Sequence, residues 1–297
     1  MDNFFQSKCL DFIESADADA LAFSYLDFQA SEFESFVVTK KEFQSSEPKN
    51  IWFDLASLTK PLTNSYLALK ENNLSKDLEL LLNHKAGLPA WAILDKSNWR
   101  DYIKSLPIEE SDSLYSDLSA LRFMLEMEDK YKVNYRDYFK PVWKDNLKYW
   151  LDLDGSEQTL QNGYYGGKPN IGKVHDPNAY NLKTITSHAG VFGTIDGLSN
   201  VLLDMNQELG MLEKLTNIKR VGRFALGFDT VGQDTLAGRG CSTLSFGHLG
   251  FTGTSFWIDP ELQRGWILLS NSTKYYWFNK TGLNTLRREL GERVWKN

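Results

Sequence analysis

The stretch Phe53-Asp-Leu-Ala-Ser57-Leu-Thr-Lys60 constrains this chain more than any other. An apolar run, Ile51-Trp-Phe, leads in, and a helical pattern through Leu62, Tyr66 and Leu69 leads out. Pro61 sits early in that helix, where a missing N–H is best tolerated. Ser57 and Lys60 are three residues apart, so they share one helix face and their hydroxyl and ammonium converge. A lysine beside a serine is one way to activate a hydroxyl nucleophile. The same spacing recurs in Ser46-Glu-Pro-Lys49, but inside the polar, proline-containing stretch Ser45 to Asn50, which reads as a turn. Ser57 is therefore the candidate nucleophile.

The chain has 297 residues, enough for one large domain or two small ones. Its 42% hydrophobic and 24% charged residues are ordinary for a globular protein. The net charge of −6 argues against nucleic acid as a partner. No apolar run is long enough to span a bilayer. The expected partner is a small-molecule or peptide substrate, and the expected state a monomer. The N-terminus has no basic start and no continuous apolar stretch, so it does not read as a secretory signal. Phe4, Phe5, Leu10, Phe12 and Ile13 mark it as an amphipathic helix of the fold. On that sequence the expected compartment is cytoplasmic, or periplasmic if a signal has been removed. Cys9 and Cys241 form neither a disulfide framework nor a zinc site.

Residues 20–26 and 33–39 carry strand patterning and make a hairpin. Short helices are expected at 78–82, 117–128 and 131–150, then a Gly- and Asn-rich loop over 152–173. A helix starts near Thr194, strands follow at 224–230, 251–258 and 265–269, and a helix closes the chain over 276–294. Strands at both ends and helices between predict an α+β fold: an antiparallel sheet flanked by helices, with an inserted all-helical subdomain. Residues 1–73 and 182–297 form the sheet domain and 74–181 the insertion.

Three other segments bear on Ser57. Tyr115-Ser-Asp117 opens an apolar helix, and a tyrosine beside a lysine can act as a phenolate base. Leu81-Leu-Asn-His-Lys-Ala-Gly-Leu-Pro89 reads as a helix end with Gly87 as its stop and carries no chemistry of its own. Phe246-Gly-His248-Leu-Gly250-Phe251 places glycines inside a strand pattern, a sign of close approach by a ligand or backbone.

In this order, from about Leu21 to Asn271, the chain resembles the class C β-lactamase and penicillin-binding-protein-like serine hydrolases. The motifs are Ser-Leu-Thr-Lys (57–60), the 81–89 stretch, Tyr-Ser-Asp (115–117) and His-Leu-Gly (248–250). Val174-His-Asp-Pro-Asn-Ala179 and His188-Ala-Gly-Val-Phe-Gly-Thr194 look like a segment found in a subgroup of these hydrolases. The resemblance implies an acyl-serine enzyme acting on an amide or ester, as a D,D-carboxypeptidase-like hydrolase, a D-aminoacyl peptide hydrolase or an esterase. Ser57 would be the nucleophile, with Lys60 and Tyr115 handling its proton. The backbone N–H groups of Ser57 and Phe251 would form the oxyanion hole. Asp117, His248 and Gly250 would contact substrate. The alternative is a non-catalytic protein that uses the cleft to bind a peptidoglycan fragment or a protein.

Two positions depart from the family pattern. Asp117 stands where many relatives carry Asn, and a carboxylate there would hold Lys60 charged. His248 stands where many carry Lys, and an imidazole with an ordinary pKa of about 6.5 supplies little charge above pH 7. Arg239 is the candidate replacement cation. His84, His175, Asp176, His188 and His248 lack metalloprotease spacing, so no metal or cofactor is expected. Asp176-Pro-Asn178 is turn chemistry, and His175, Asp176 and His188 read as structural.

Overall fold

The computed structural model describes residues 2–15, 18–41, 43, 47–71, 73–275 and 278–296. A seven-stranded antiparallel sheet organises the chain. Its strands are β1 (Ala20–Asp27), β2 (Glu32–Thr39), β3 (Phe224–Ala225), β4 (Phe228–Thr230), β5 (Phe246–Leu249), β6 (Ser255–Asp259) and β7 (Arg264–Ser270). Their spatial order is β2-β1-β7-β6-β5-β4-β3. The first hairpin therefore pairs with the last strand, Leu21 opposite Ser270 and Asp27 opposite Arg264.

Both faces of this sheet are buried, and the period-2 alternation of the strands assigns the sides. Leu21, Phe23, Trp266 and Leu268 pack with α1 (Asn3–Glu14) and the closing helix, and Phe5 stacks on Phe23 at 4.9 Å. Ala20, Ala22, Ile267 and Leu269 face the main core with Leu198, Val201 and Leu202 of the helix Ile195–Leu209, which Thr194 caps. The closing helix spans Thr281–Lys296, later than the sequence pattern places it; Tyr276 and Trp277 lie outside the described residues.

Residues 74–181 hold the expected helices, including Lys76–Leu82, Asp117–Tyr131 and Tyr135–Trp143. They also hold short strands. Leu147–Tyr149 and Gln158–Thr159 join Ile51–Asp54 and Val191–Gly193 in a small second sheet. The stretch 152–173 is not simply a loop, because Gln161–Tyr165 and Lys168–Ile171 pair as a hairpin across Gly166 and Gly167, both at positive φ. The helix before His84 ends at Leu82. His84 itself, at φ 56°, takes the left-handed turn, and Gly87 at φ 72° comes later against the Glu109 carbonyl.

Candidate active site

The site forms where Ile51–Asp54 turns into a helix. Ala56–Leu58 is a 3-10 turn, Pro61–Ser65 a π turn, and Tyr66–Lys70 regular α-helix. Such local departures from α geometry concentrate at functional sites. Ala56, just before Ser57, is left-handed at φ 48°, a strained conformation for a residue with a Cβ. Asp54 holds it, since its Oδ1 accepts the Ala56 N–H at 2.9 Å and its Oδ2 accepts the His175 N–H at 2.7 Å. Burial pushes the Asp54 carboxyl up to about 7 against these two bonds.

Lys60 is buried and points back at Ser57, with Nζ donating to Ser57 Oγ at 3.1 Å. Nζ also donates to the His188 carbonyl at 3.0 Å and pairs with Asp117 Oδ1 at 2.7 Å. An ammonium has three protons, and these acceptors surround it together with the Tyr115 hydroxyl. Nζ lies 4.8 Å from the centre of the Tyr115 ring. Burial works to lower the Lys60 pKa, but the negative charge of Asp117, with Tyr115, outweighs it and holds the ammonium above its ordinary range. Burial raises the Tyr115 phenol, and the nearby Lys60 charge offsets this only in part. The resting site thus pairs an ammonium with a protonated phenol.

Tyr115, Ser116 and Asp117 are set by the helix start. Ser116 caps it by accepting the Ser119 N–H at 2.9 Å and donates to the Pro89 carbonyl at 2.6 Å. His84 completes this wall, its Nδ1 accepting the Ser116 N–H at 3.1 Å and its ring 4.7 Å from Tyr115. The 81–89 stretch therefore does reach the site, through a histidine whose sequence context signals only a helix end.

The opposite wall is the β5–β6 turn. Thr252 Oγ1 donates to the Asp54 carbonyl at 2.6 Å and Thr254 Oγ1 to the Leu55 carbonyl at 3.0 Å. These bonds seat the main chain of 250–254 against the turn that carries Ser57. Gly250 is required by the approach: a Cβ there would stand 2.7 Å from the Leu55 carbonyl oxygen. Ser57, Tyr115, His248, Gly250 and Phe251 then line one open cavity of about 360 Å³. Every sequence candidate but Arg239 lies here, Lys60 and Asp117 through the Lys60 bonds to Ser57 and to Asp117.

His248 donates from Nδ1 to the Leu249 carbonyl at 2.9 Å, which leaves its buried Nε2 without a hydrogen-bond partner among the described residues. Burial, reinforced by Lys60, holds its pKa down to about 3. Arg239 does not line the cavity. Its cations are Arg223, Lys280 and Arg287. Arg223 is paired to Asp229 at 2.7 Å. Arg287 is buried among the neutral acceptors Ser255 Oγ, Asn284 Oδ1 and the Thr254 carbonyl, and burial lowers it to about 9. Lys280 sits 5.3 Å from the Phe251 ring, lowered to about 8 by burial and by the Arg287 charge. No motif marks these two residues, which the closing helix and the segment before it bring in.

Asp117, Asp176 and His188 bring potential metal-ligand atoms within 4.8 Å of one another. The Lys60 ammonium already supplies positive charge there. The other serine–lysine spacing is not placed, since Ser46 lies outside the described residues; Lys49 is exposed and 3.8 Å from Asp196. Among the described residues no helix is long and apolar enough to cross a membrane.

A family model described as Beta-lactamase matches residues 77–286, starting beyond Ser57 and Lys60, whose place in the site rests on geometry. No curated protein sequence matches. Among solved structures, a β-lactamase from Mycobacterium bovis aligns with TM-score 0.60 and 16% identity over 97% of both chains. A simvastatin synthase variant from Aspergillus terreus aligns with TM-score 0.71 and 12% identity over 98% of both chains. A class C β-lactamase variant aligns with TM-score 0.68 and 14% identity over 98% of this chain and 97% of its own. At such identities these structures speak for the fold. With the family model spanning most of the sequence, this chain belongs to the β-lactamase family, whose members are generally serine hydrolases.

Proposed function

We propose that this protein is an acyl-serine hydrolase for amides or esters, in the manner of a D,D-carboxypeptidase, a D-aminoacyl peptide hydrolase or an esterase. The observation that carries this reading is the Lys60 Nζ contact to Ser57 Oγ at 3.1 Å with Tyr115 over the same ammonium. Ser57 Oγ attacks the substrate carbonyl carbon and gives its proton to Tyr115, which must first be deprotonated. The carbonyl oxygen takes the electron pair and is held by the N–H groups of Ser57 and Phe251, an arrangement worth about 3 kcal/mol per donor in related chemistry. The bond to the leaving group then breaks, and Tyr115 returns the proton to that group. Water repeats the sequence on the acyl-serine. Lys60 remains an ammonium and stabilises negative charge on Tyr115 and Oγ.

Lys280 and Arg287 line the cavity and favour substrates that carry a carboxylate. His248, neutral above about pH 3, supplies none of that charge. A second reading, a binding protein with a silent serine, is favoured by one feature. The Asp117 pairing leaves the resting site without a free base. A fluorophosphonate probe decides between them. Labelling of wild type and its loss in Ser57→Ala is expected of the hydrolase; an unlabelled, folded wild type at pH 7 to 10 would leave the binding protein. The mass of the intact protein after exposure to D-Ala-D-Ala peptides, esters and β-lactams then identifies the acyl group.

A further inference from the structure

The segment from His175 to His188 is fastened to the nucleophile at two points. At one end, the His175 N–H binds Asp54, the acid that also holds Ala56 beside Ser57. At the other end, the His188 carbonyl accepts a hydrogen bond from Lys60 Nζ. Between them, the buried His188 ring meets Asp176, Nε2 to Oδ1 at 2.8 Å. The neighbours of His188 are held separately, Ser187 by the Ala120 carbonyl and Thr186 by the Ala189 carbonyl. The ring is what ties residue 188 itself. Asp176 is an anion here: burial opposes its ionisation, but His188, the Ala179 N–H and the Lys60 charge hold its carboxyl down at about 2.

We propose that Asp176 and His188 are positioning residues, which hold the His188 carbonyl and a second negative charge against Lys60 so that its remaining proton is aimed at Ser57 Oγ. The inference rests on Ser57 being the nucleophile. Without the ring tie, the carbonyl of residue 188 is free to turn, and Lys60 gains a rotamer that pairs with Asp117 alone. The groups facing Lys60 are Ser57, Tyr115, Asp117 and the His188 carbonyl, with His84, His248 and Asp176 close enough to feel its charge. Neither positioning residue touches the reacting atoms. Their loss should slow acylation and leave probe binding alone.

The test is the concentration dependence of fluorophosphonate labelling, which separates the limiting rate from the half-saturating concentration. His188→Leu and Asp176→Ala should lose about 10- to 100-fold in limiting rate, by analogy with the loss when the outer partner of a metal ligand is removed. Half-saturation should not move. His188→Gln places an amide N–H near the position of Nε2 and should recover most of the rate. Asp176→Asn keeps the cap on Ala179 and removes only the charge, so it guards against a variant that fails to fold. A folded His188→Leu labelling at the wild-type rate, a loss confined to half-saturation, or a His188→Gln no better than Leu would each overturn the proposal. If wild type does not label at all, the hydrolase reading fails instead. The Lys60 13Cε resonance then still decides placement: Asp176→Asn should lower its titration midpoint, and an unchanged midpoint overturns the placement of that charge beside Lys60.

Discussion

Asp117 Oδ1 lies 2.7 Å from Lys60 Nζ, so the residue that opens one helix fixes the charge of a lysine in another. The pKa of Lys60 is raised in the fold, so it stays an ammonium and takes no proton from Ser57. Tyr115 is raised as well, in part by the same carboxylate. Labelling should therefore climb steeply from pH 7 to 10. Asp117→Asn should move that limb toward neutral pH, and labelling at pH 7 should speed up roughly tenfold for each pH unit the limb moves. The same change removes a charge pair whose stabilisation is present below the unfolded lysine pKa, so its Tm should fall. A variant slower at every pH would show that Asp117 serves the chemistry directly.

In the proposed reaction Tyr115 carries the Ser57 proton and the Lys60 ammonium stabilises it, so their losses should overlap. Lys60→Ala, Tyr115→Phe and the double variant should share a similar residual acylation rate. Losses that multiply would show two independent contributions.

Gly250→Ala places a methyl group 2.7 Å from the Leu55 carbonyl oxygen and 1.9 Å from Thr254 Oγ1. The Thr254 bond to Leu55 must break, and the main chain of 250–254 must move away from Ser57. A fall in kcat of about 100-fold or more is expected, the scale of one lost oxyanion donor. Normal kcat in a well-folded variant would remove Phe251 from the mechanism.

The Lys280 pKa is depressed to about 8, so its charge is present below that pH and lost above it. A carboxylate-bearing peptide should therefore lose kcat/KM relative to a neutral ester between pH 7 and 9. Lys280→Met should abolish this change and weaken the peptide by roughly 2 kcal/mol, the scale of a bond to a charged group. His248 stays neutral down to about pH 3, so no gain for the peptide is expected at pH 5.5. A peptide preference unaltered by Lys280→Met would shift the anchor to Arg287.

Asp54 keeps its proton up to about pH 7 in the fold, whereas an unfolded aspartate loses it near pH 4. Its contribution to stability should fall as pH rises from 4 to 7. Asp54→Asn should flatten that part of the Tm profile. A wild-type Tm that rises over this window with the same slope as the variant would contradict the assignment.

Ser57, Lys60, Tyr115 and Asp117 are legible in the sequence because each lies at a helix start, where local pattern fixes direction. Gly250 is legible because a glycine inside a strand pattern signals close approach. His84, Lys280 and Arg287 are not, because long-range packing brings them in: a left-handed turn at His84, and a closing helix docked behind β6. The hairpin at 161–171 is hidden by its glycines, which read as loop and serve as a turn. Arg239 is near His248 along the chain but is not among the residues that line the cavity.

The hydroxyl of Thr252 reaches the Asp54 carbonyl across 198 positions of sequence. A chain emerging from the ribosome makes its serine early and the threonine that seats the opposite wall late. Until that threonine is made, the turn that carries Ser57 has no wall facing it, and β7, which joins the first hairpin to the rest of the sheet, is made later still. The two walls are thus brought together only after β7 is made, and a product truncated before Thr252 carries Ser57 without its opposite wall.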